Sequence, residues 1–400
     1  MPISSSIEVS NHPIVDGRWF AVGRSGAEDA YTAGLESSSE ALVRDDAKLL
    51  VVFCSDSYDL AELLVGINER SGGVPLIGCS TAGEISASGA GDASVVVSAL
   101  GGPGFSIATS LATNASDDLR GAGAAASECV AEVSAAPHRV LLLLTDGLAG
   151  DQQEIVRGAY SMAGARVPLV GGCAGDGLKM QQTSQLYGDQ VLTDAVVAAA
   201  IGSEAPMGIG VRHGWRKVGE PMLVTKSDGN RVFVLDDRPA LDVYLERLEA
   251  PDAAWNDPAA FTHFALTHPL GLQRRSGEEV RFVAEADFAD RSLGCIAEVP
   301  QGGLTWIMEG DSDSVLLGTD AACNEAMSTL AGRTPLGVLA FDCIARRGVL
   351  GDPGIETEVA RIGEHVGGVP IAGFYTYGEI ARTRGVGGFH NQTLVVLALS

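Results

Sequence analysis

One short phrase occurs three times in this chain: VPLIGCSTAGEI at 74–85, VPLVGGCAGDG at 167–177 and VPIAGFYTYGEI at 369–380. Each opens on Val-Pro, runs through small apolar residues into glycines, and reaches a glycine followed by an acid: Gly83-Glu84, Gly175-Asp176 or Gly378-Glu379. A phrase that recurs with its surroundings marks a recurring unit, because copies of one supersecondary motif bury a continuous core by packing on one another.

The surroundings recur. Upstream of each phrase lies an apolar run ending at an aspartate: LLVVFCSD at 49–56, RVLLLLTD at 139–146 and PLGVLAFD at 335–342. Between run and phrase the apolar spacing is helical, as with Leu60, Leu63, Leu64 and Ile67 in the first copy and Val359, Ile362 and Val366 in the third. Pro75, Pro168 and Pro370 are therefore expected to open strands beside those ending near Asp56, Asp146 and Asp342. One element earlier stand FAVGRS at 20–25, FSIATS at 105–110 and LTWIME at 304–309. One element later stand SVVVSAL at 94–100, AVVAAAI at 195–201 and TLVVLAL at 393–399.

The second phrase follows the first by 93 residues and the third follows the second by 202, from the positions of Val74, Val167 and Val369. The excess places an insertion of about one unit between Gly210 and Gly303, with a hairpin signal at Asp228-Gly229 and a helix over PALDVYLERL at 239–248. The expected fold is α/β: repeated β-α-β-α-β-β units forming mixed sheets flanked by helices, in two domains. Residues 17–215 hold two repeats, and residues 216–400 hold the insertion and the third repeat.

Composition narrows the function. A net charge of −24 argues against nucleic acid and against an anionic membrane surface. No apolar run reaches the roughly 18 to 20 residues of a membrane helix. The first ten residues, MPISSSIEVS, have neither a basic region nor an apolar core, so no secretory signal is read and a cytoplasmic location is expected. Seven cysteines without a CxxC pair give no disulfide framework; Cys54, Cys79, Cys173 and Cys343 suit crowded strand ends as small hydrophobes.

The third repeat departs from its siblings in its chemistry. It has Phe374-Tyr375-Thr376-Tyr377 where the first has Cys79-Ser80-Thr81-Ala82, and it adds Phe389-His390-Asn391-Gln392-Thr393. Aromatic walls with a few aimed polar groups describe a small-molecule pocket. The candidate ligand set is Arg346, Tyr375, Tyr377, Glu379, His390 and Asn391, with Arg346 for a carboxylate and Glu379 for an ammonium.

The phrases GCSTAGEI, GFYTYGEIA and FHNQT, with PALDVYLERL, THPLGL at 267–272, CIAR at 343–346 and GIGVRHGW at 208–215, resemble the FIST family of bacterial sensory domains. The resemblance covers nearly the whole chain, as an N-terminal and a C-terminal part. It implies a signal-transduction protein that binds a small ligand, an amino acid or similar small anion. With no output segment before the last strand ends at Ser400, the signal is expected to pass to a separate partner such as a histidine kinase, a cyclic-nucleotide enzyme or a chemoreceptor.

Two other chemistries are weighed. Some members of the family are similar to haem-binding nitric oxide sensors, and His213, His268 and His390 adjoin the aromatic or apolar residues that an axial ligand needs. The segment Gly78-Cys79-Ser80-Thr81-Ala82 resembles the nucleophile elbow of a hydrolase but lacks its last glycine and the immediate helix. Gly121 to Ala126 imitates a dinucleotide loop inside a helical segment, and no P-loop, HExxH or kinase signature appears. Recognition without catalysis is the expectation.

Overall fold

The computed structural model describes residues 13–274, 277–383 and 387–400; the N-terminal stretch read above for a leader lies outside the described residues. In each repeat the phrase forms a strand, Leu76–Thr81, Leu169–Cys173 or Ile371–Thr376, parallel to the preceding Ala47–Ser55, His138–Thr145 or Gly337–Cys343. Proline opens each strand because it lacks a donor but keeps its carbonyl. Pro75, Pro168 and Pro370 accept from the amides of Leu50, Leu141 and Val338 at 2.8, 3.0 and 3.0 Å.

The crossover helices form where the sequence caps them. Asp59 accepts from the amides of Ala61 and Glu62, Gly72 ends the helix Leu60–Ser71 at φ 63°, and Leu63, Leu64 and Ile67 face the sheet. The helix beside it, Ala30–Ala41, touches it backbone to backbone. A Cβ on Gly34 would stand 2.3 Å from the Leu63 carbonyl oxygen, and one on Gly66 would stand 2.2 Å from that of Tyr31.

After the phrase the chain leaves its own sheet. Glu84–Ser86 of the first repeat pairs with the third repeat's Ile371–Thr376. Glu379–Arg382 of the third pairs with the second's Leu169–Cys173, and Gln185–Tyr187 of the second pairs with the first's Leu76–Thr81. Each repeat thus lends an arm to the next in a closed ring. Backbone bonds tie the ring at its centre, from Ala82 to Tyr375 at 3.0 Å, Tyr377 to Cys173 at 3.1 Å and Gly175 to Ser80 at 3.0 Å.

The inner sheet faces meet around Phe53, Phe341 and Phe374, whose ring centroids lie 4.7 to 6.1 Å apart. Helices cover the outer faces, as Leu63, Leu64 and Ile67 do over Leu50 and Val52. Strands covered on both sides read as unbroken apolar runs, and these do.

One expectation is corrected. The first strand of the third repeat is Met207–Arg212, which pairs with Leu394–Leu399 as Arg18–Ser25 pairs with Val95–Gly101. Leu304–Glu309 belongs to the insertion's sheet, beside Arg216–Asp228. Gly208 and Gly210 disguised the true strand. Their missing side chains admit the helix Ser312–Ser328, since a Cβ on either would meet a helix carbonyl at 1.9 Å. The insertion lies between Arg212 and Ser312 and has its own core around Met222, Val232, Tyr244 and Phe261. Its hairpin turns at Gly229, φ 55°, and its helix spans Ala240–Arg247, both as expected.

A ring closed by exchanged arms should unfold as one body. Phe374→Ala, which opens a cavity between all three sheets, should cost about 3–5 kcal/mol. Urea unfolding followed by circular dichroism and by tryptophan emission should shift together; a shift seen by one probe alone would show that the repeats unfold independently.

Candidate functional site

The turn after the phrase is built alike in the first and third repeats. Thr81 donates to Glu84 at 2.5 Å, and the Ser94 amide and hydroxyl donate to its other oxygen at 3.1 and 2.7 Å. Thr376 donates to Glu379 at 2.5 Å, and Thr393 supplies the same pair at 3.1 and 2.7 Å. Among the described residues neither carboxyl touches a cation. Burial pushes both up to about 7, against the pull of those hydrogen bonds. Glu379 thus fastens the start of an exchanged arm to the start of the returning strand, enclosed on every side.

Arg346 is also enclosed. Its guanidinium donates to Asp342 at 2.6 Å, to Glu358 at 2.5 Å, to Thr319 at 2.8 Å and to the His213 carbonyl at 2.9 Å. Its fork is filled from within.

The cation that reaches solvent is its neighbour. Arg347 stacks on the Tyr375 ring at 5.0 Å, donates to the Ala82 carbonyl at 3.0 Å, and pairs with Asp92. It borders a cleft of about 610 Å³ to which every repeat contributes. The first repeat gives Ser55–Ser57 and the turn Thr81–Gly83, the second gives Leu178 and Lys179, and the third gives Arg347, Asp352 and Ile355. Lys179 pairs with Asp56 at 2.5 Å. The helix Ile344–His365 kinks at Gly351, φ 63°, so its second segment starts at the cleft. A cleft beyond the carboxyl ends of parallel strands is where ligands bind in open α/β sheets.

The two tyrosines stand behind this cleft. Tyr375 is fully buried and supports Arg347. The Tyr377 hydroxyl donates to Asp176 and accepts from the Leu178 amide at 2.7 Å. Burial alone would push Asp176 up, but that hydroxyl and the amides of Met180, Gln181 and Gln182 outweigh it and hold it below the usual carboxylate range. Tyr377 thereby anchors the loop that carries Leu178 and Lys179.

His390 lies elsewhere, in a second cleft of about 610 Å³ between the insertion and the third repeat's arm, where His213 also stands. His213 Nδ1 accepts from the Trp215 amide at 2.9 Å, so the neutral ring carries its proton on Nε2, toward Glu278 at 4.0 Å. Burial pushes it down to about 4, against the pull of Glu278. His390 Nε2 donates to the Ala381 carbonyl at 2.9 Å, and burial lowers this ring also. His268 sits in the insertion, stacked on Phe264 at 4.5 Å with Nδ1 donating to that residue's carbonyl. Asn391 is buried, its Oδ1 without a donor among the described residues.

Neither His213 nor His390 fits a haem. His213 has spent its lone pair, and His390 opens onto walls carrying Glu278, Glu279 and Glu325 where haem needs an apolar slot. Ser80 is buried, donating to the Gly175 carbonyl at 2.7 Å and accepting from the Ser184 amide at 2.9 Å. All seven cysteines are buried and unpaired, and no metal-holding group of acids, histidines and cysteines occurs among the described residues.

The structure therefore divides the sequence-derived set. Tyr375 and Tyr377 back one cleft, His390 lines the other, and Arg346, Glu379 and Asn391 lie inside. Arg347 and Lys179 were missed. The double arginine was the available signal, but which member faces outward depends on where the helix starts after Cys343.

The family model for the FIST N domain matches residues 48–238 and that for the FIST C domain matches residues 240–382. An uncharacterized protein of Mycobacterium tuberculosis is 28% identical over 240 residues, which are 56% of this chain and 58% of that protein. One from Methanocaldococcus jannaschii is 26% identical over 153 residues, 36% and 30% of the two chains. The mycobacterial match thus spans little more than half of the relative's length. Among solved structures, a chorismatase aligns over 96% of this chain and 98% of its own, at 11% identity and TM-score 0.37.

The buried carboxyls set a pH dependence. A carboxyl titrating near 7 when folded and near 4.5 when free binds more protons in the native state. It contributes stability that is full below about 4.5 and is lost as pH rises through about 7. Glu379→Gln should flatten the fall in unfolding free energy across this window, and the double variant with Glu84→Gln should flatten it further. Denaturant titrations at stepped pH test this; a window as steep as wild type in the double variant would locate the titration elsewhere.

Proposed function

The chain belongs to the FIST family, whose domains are sensory domains of signal-transduction proteins, and we propose that its ligand is a small carboxylate, an amino acid above all, bound in the cleft where the three repeats meet. The observation that carries this reading is the pairing of charges on that cleft's walls. Arg347 and Lys179 offer donors to a carboxylate, while Asp56, Asp92 and Asp352 offer acceptors to an ammonium. Leu178, Ile344 and Ile355 give an apolar wall for a side chain.

A ligand there contacts all three repeats at once, so its binding energy bears on how they sit around the ring. That is the form of a sensor, in which a ligand selects one arrangement by binding it better than another. A separate signalling protein then reads the arrangement. Among the described residues no helix is long and apolar enough to cross a membrane. Neither a haem nor a serine nucleophile gains support from the geometry of His213, His390 and Ser80.

Two neighbouring substitutions separate recognition from folding. Arg347→Ala should weaken a bound amino acid by about 1.5–3 kcal/mol, the worth of a charged hydrogen bond, with little change in melting temperature. Arg346→Ala should instead destabilise the fold by about 3–5 kcal/mol, because it leaves the buried Asp342 and Glu358 carboxyl groups without the cation that both face. Isothermal titration against the free amino acids, beside thermal melts, checks both. Unchanged affinity in Arg347→Ala for every amino acid bound by the wild type would sink the assignment of this cleft.

A further inference from the structure

The Arg346 cluster does not balance its charge. One guanidinium meets two carboxylates, Asp342 and Glu358, and all three side chains are at most 1% exposed. Arg346 takes one oxygen of each. Among the described residues the second oxygens, Asp342 Oδ2 and Glu358 Oε2, receive no hydrogen bond, and the buried hydroxyl of Tyr375 also has no partner. The two carboxyls are held by the same guanidinium, Asp342 at Nε and Glu358 at Nη2. If both were ionised, two acceptor-only groups would face one another in the interior with a net charge of −1.

Among the described residues the surrounding elements supply no second cation. From the helix Ser312–Ser328, Thr319 donates to Glu358 at 2.6 Å, and the Cys323 thiol is pushed up to about 12 by burial. His213 gives Arg346 its carbonyl, while its ring is neutral. Glu379, at the start of the neighbouring arm, adds only negative potential, and Arg347 is turned to the cleft and Asp92.

We propose that Asp342 and Glu358 share one proton at neutral pH, forming an internal proton-binding site that completes the clamp around Arg346. Two facing carboxyls remote from water do not both ionise, and a proton between them gives one oxygen a donor and the other a partner. Burial and the Glu358 charge also drive Asp342 well above the usual carboxylate range. The clamp spans the kink at Gly351, because Arg346 precedes it and Glu358 follows it. Loss of the proton sets unbalanced charge between the two helix segments and loosens the one that carries Arg347.

Infrared spectroscopy reads this proton directly and needs no cleft ligand. In a Glu84→Gln, Glu379→Gln background, which removes the two other buried carboxyls pushed up to about 7, the folded protein should keep a protonated-carboxyl C=O stretch at neutral pH. Asp342→Asn and Glu358→Gln should each remove that band, since an amide replaces the protonated partner. No such band in the folded background protein, or one that survives both substitutions, would overturn the proposal. If the substitutions prevent folding, the background spectrum alone decides. Stability that follows sodium or potassium concentration, with no carboxyl band, would give the unpartnered oxygens to a metal cation and overturn it equally.

Discussion

The exchanged arm is the interaction on which the rest of the structure depends. A parallel strand pair such as Ala47–Ser55 with Leu76–Thr81 leaves an open edge, and an open edge is a row of unsatisfied donors and acceptors. Here the edge is closed by Gln185–Tyr187 from the next repeat, and the same solution is applied around the ring. In the first and third repeats the arm must therefore leave its own sheet directly after the turn at Gly83 or Gly378. That demand explains the glycines at the turn: Gly83 and Gly378 take φ of 122° and 155°, which a side chain would resist. It explains the buried threonine and glutamate too, because a chain that changes sheets inside the molecule needs its turn satisfied without water.

Closing the ring concentrates ionisable groups at its centre. Among the described residues Glu84 and Glu379 are held by hydroxyls and amides with no cation, and Arg346 is held by two carboxyl groups. Such groups cost solvation energy and are retained where geometry leaves few alternatives. The second repeat shows the alternative. Where its siblings have Glu84 and Glu379 it has Gly177, and its loop is instead organised by Asp176, which gathers three backbone amides and the Tyr377 hydroxyl. The same need for a closed turn is met there by a loop, and that loop brings Lys179 to the cleft.

Much of the fold was legible because periodicity and punctuation survive in sequence. The three Val-Pro openings, the apolar runs before them and the helix spacing of Leu60 to Ile67 specify a repeated parallel pair, and Asp228-Gly229 specifies a hairpin. What stayed hidden was which sheet each arm joins, since nothing local in Glu84–Ser86 distinguishes its own sheet from its neighbour's. Met207–Arg212 was hidden for another reason. Its glycines answer to a helix more than a hundred residues away, a packing demand that reads locally as a loop.

The candidate site was legible only in part. Tyr375 and Tyr377 were singled out for their chemistry, and both do bear on the cleft, one through the ring under Arg347 and one through the loop beside it. The cation was missed by a single position. Successive residues of a helix point about 100° apart, so of Arg346 and Arg347 one enters the interior and the other faces out. Asp342 at the strand end, Thr319 and Glu358 draw the first inward, and with its fork so filled the second is left to stack on Tyr375. The inner arginine thus sets the outer one: the clamp fixes the helix start, the helix start fixes the direction of Arg347, and the cleft takes its positive wall from an ion cluster that solvent does not reach.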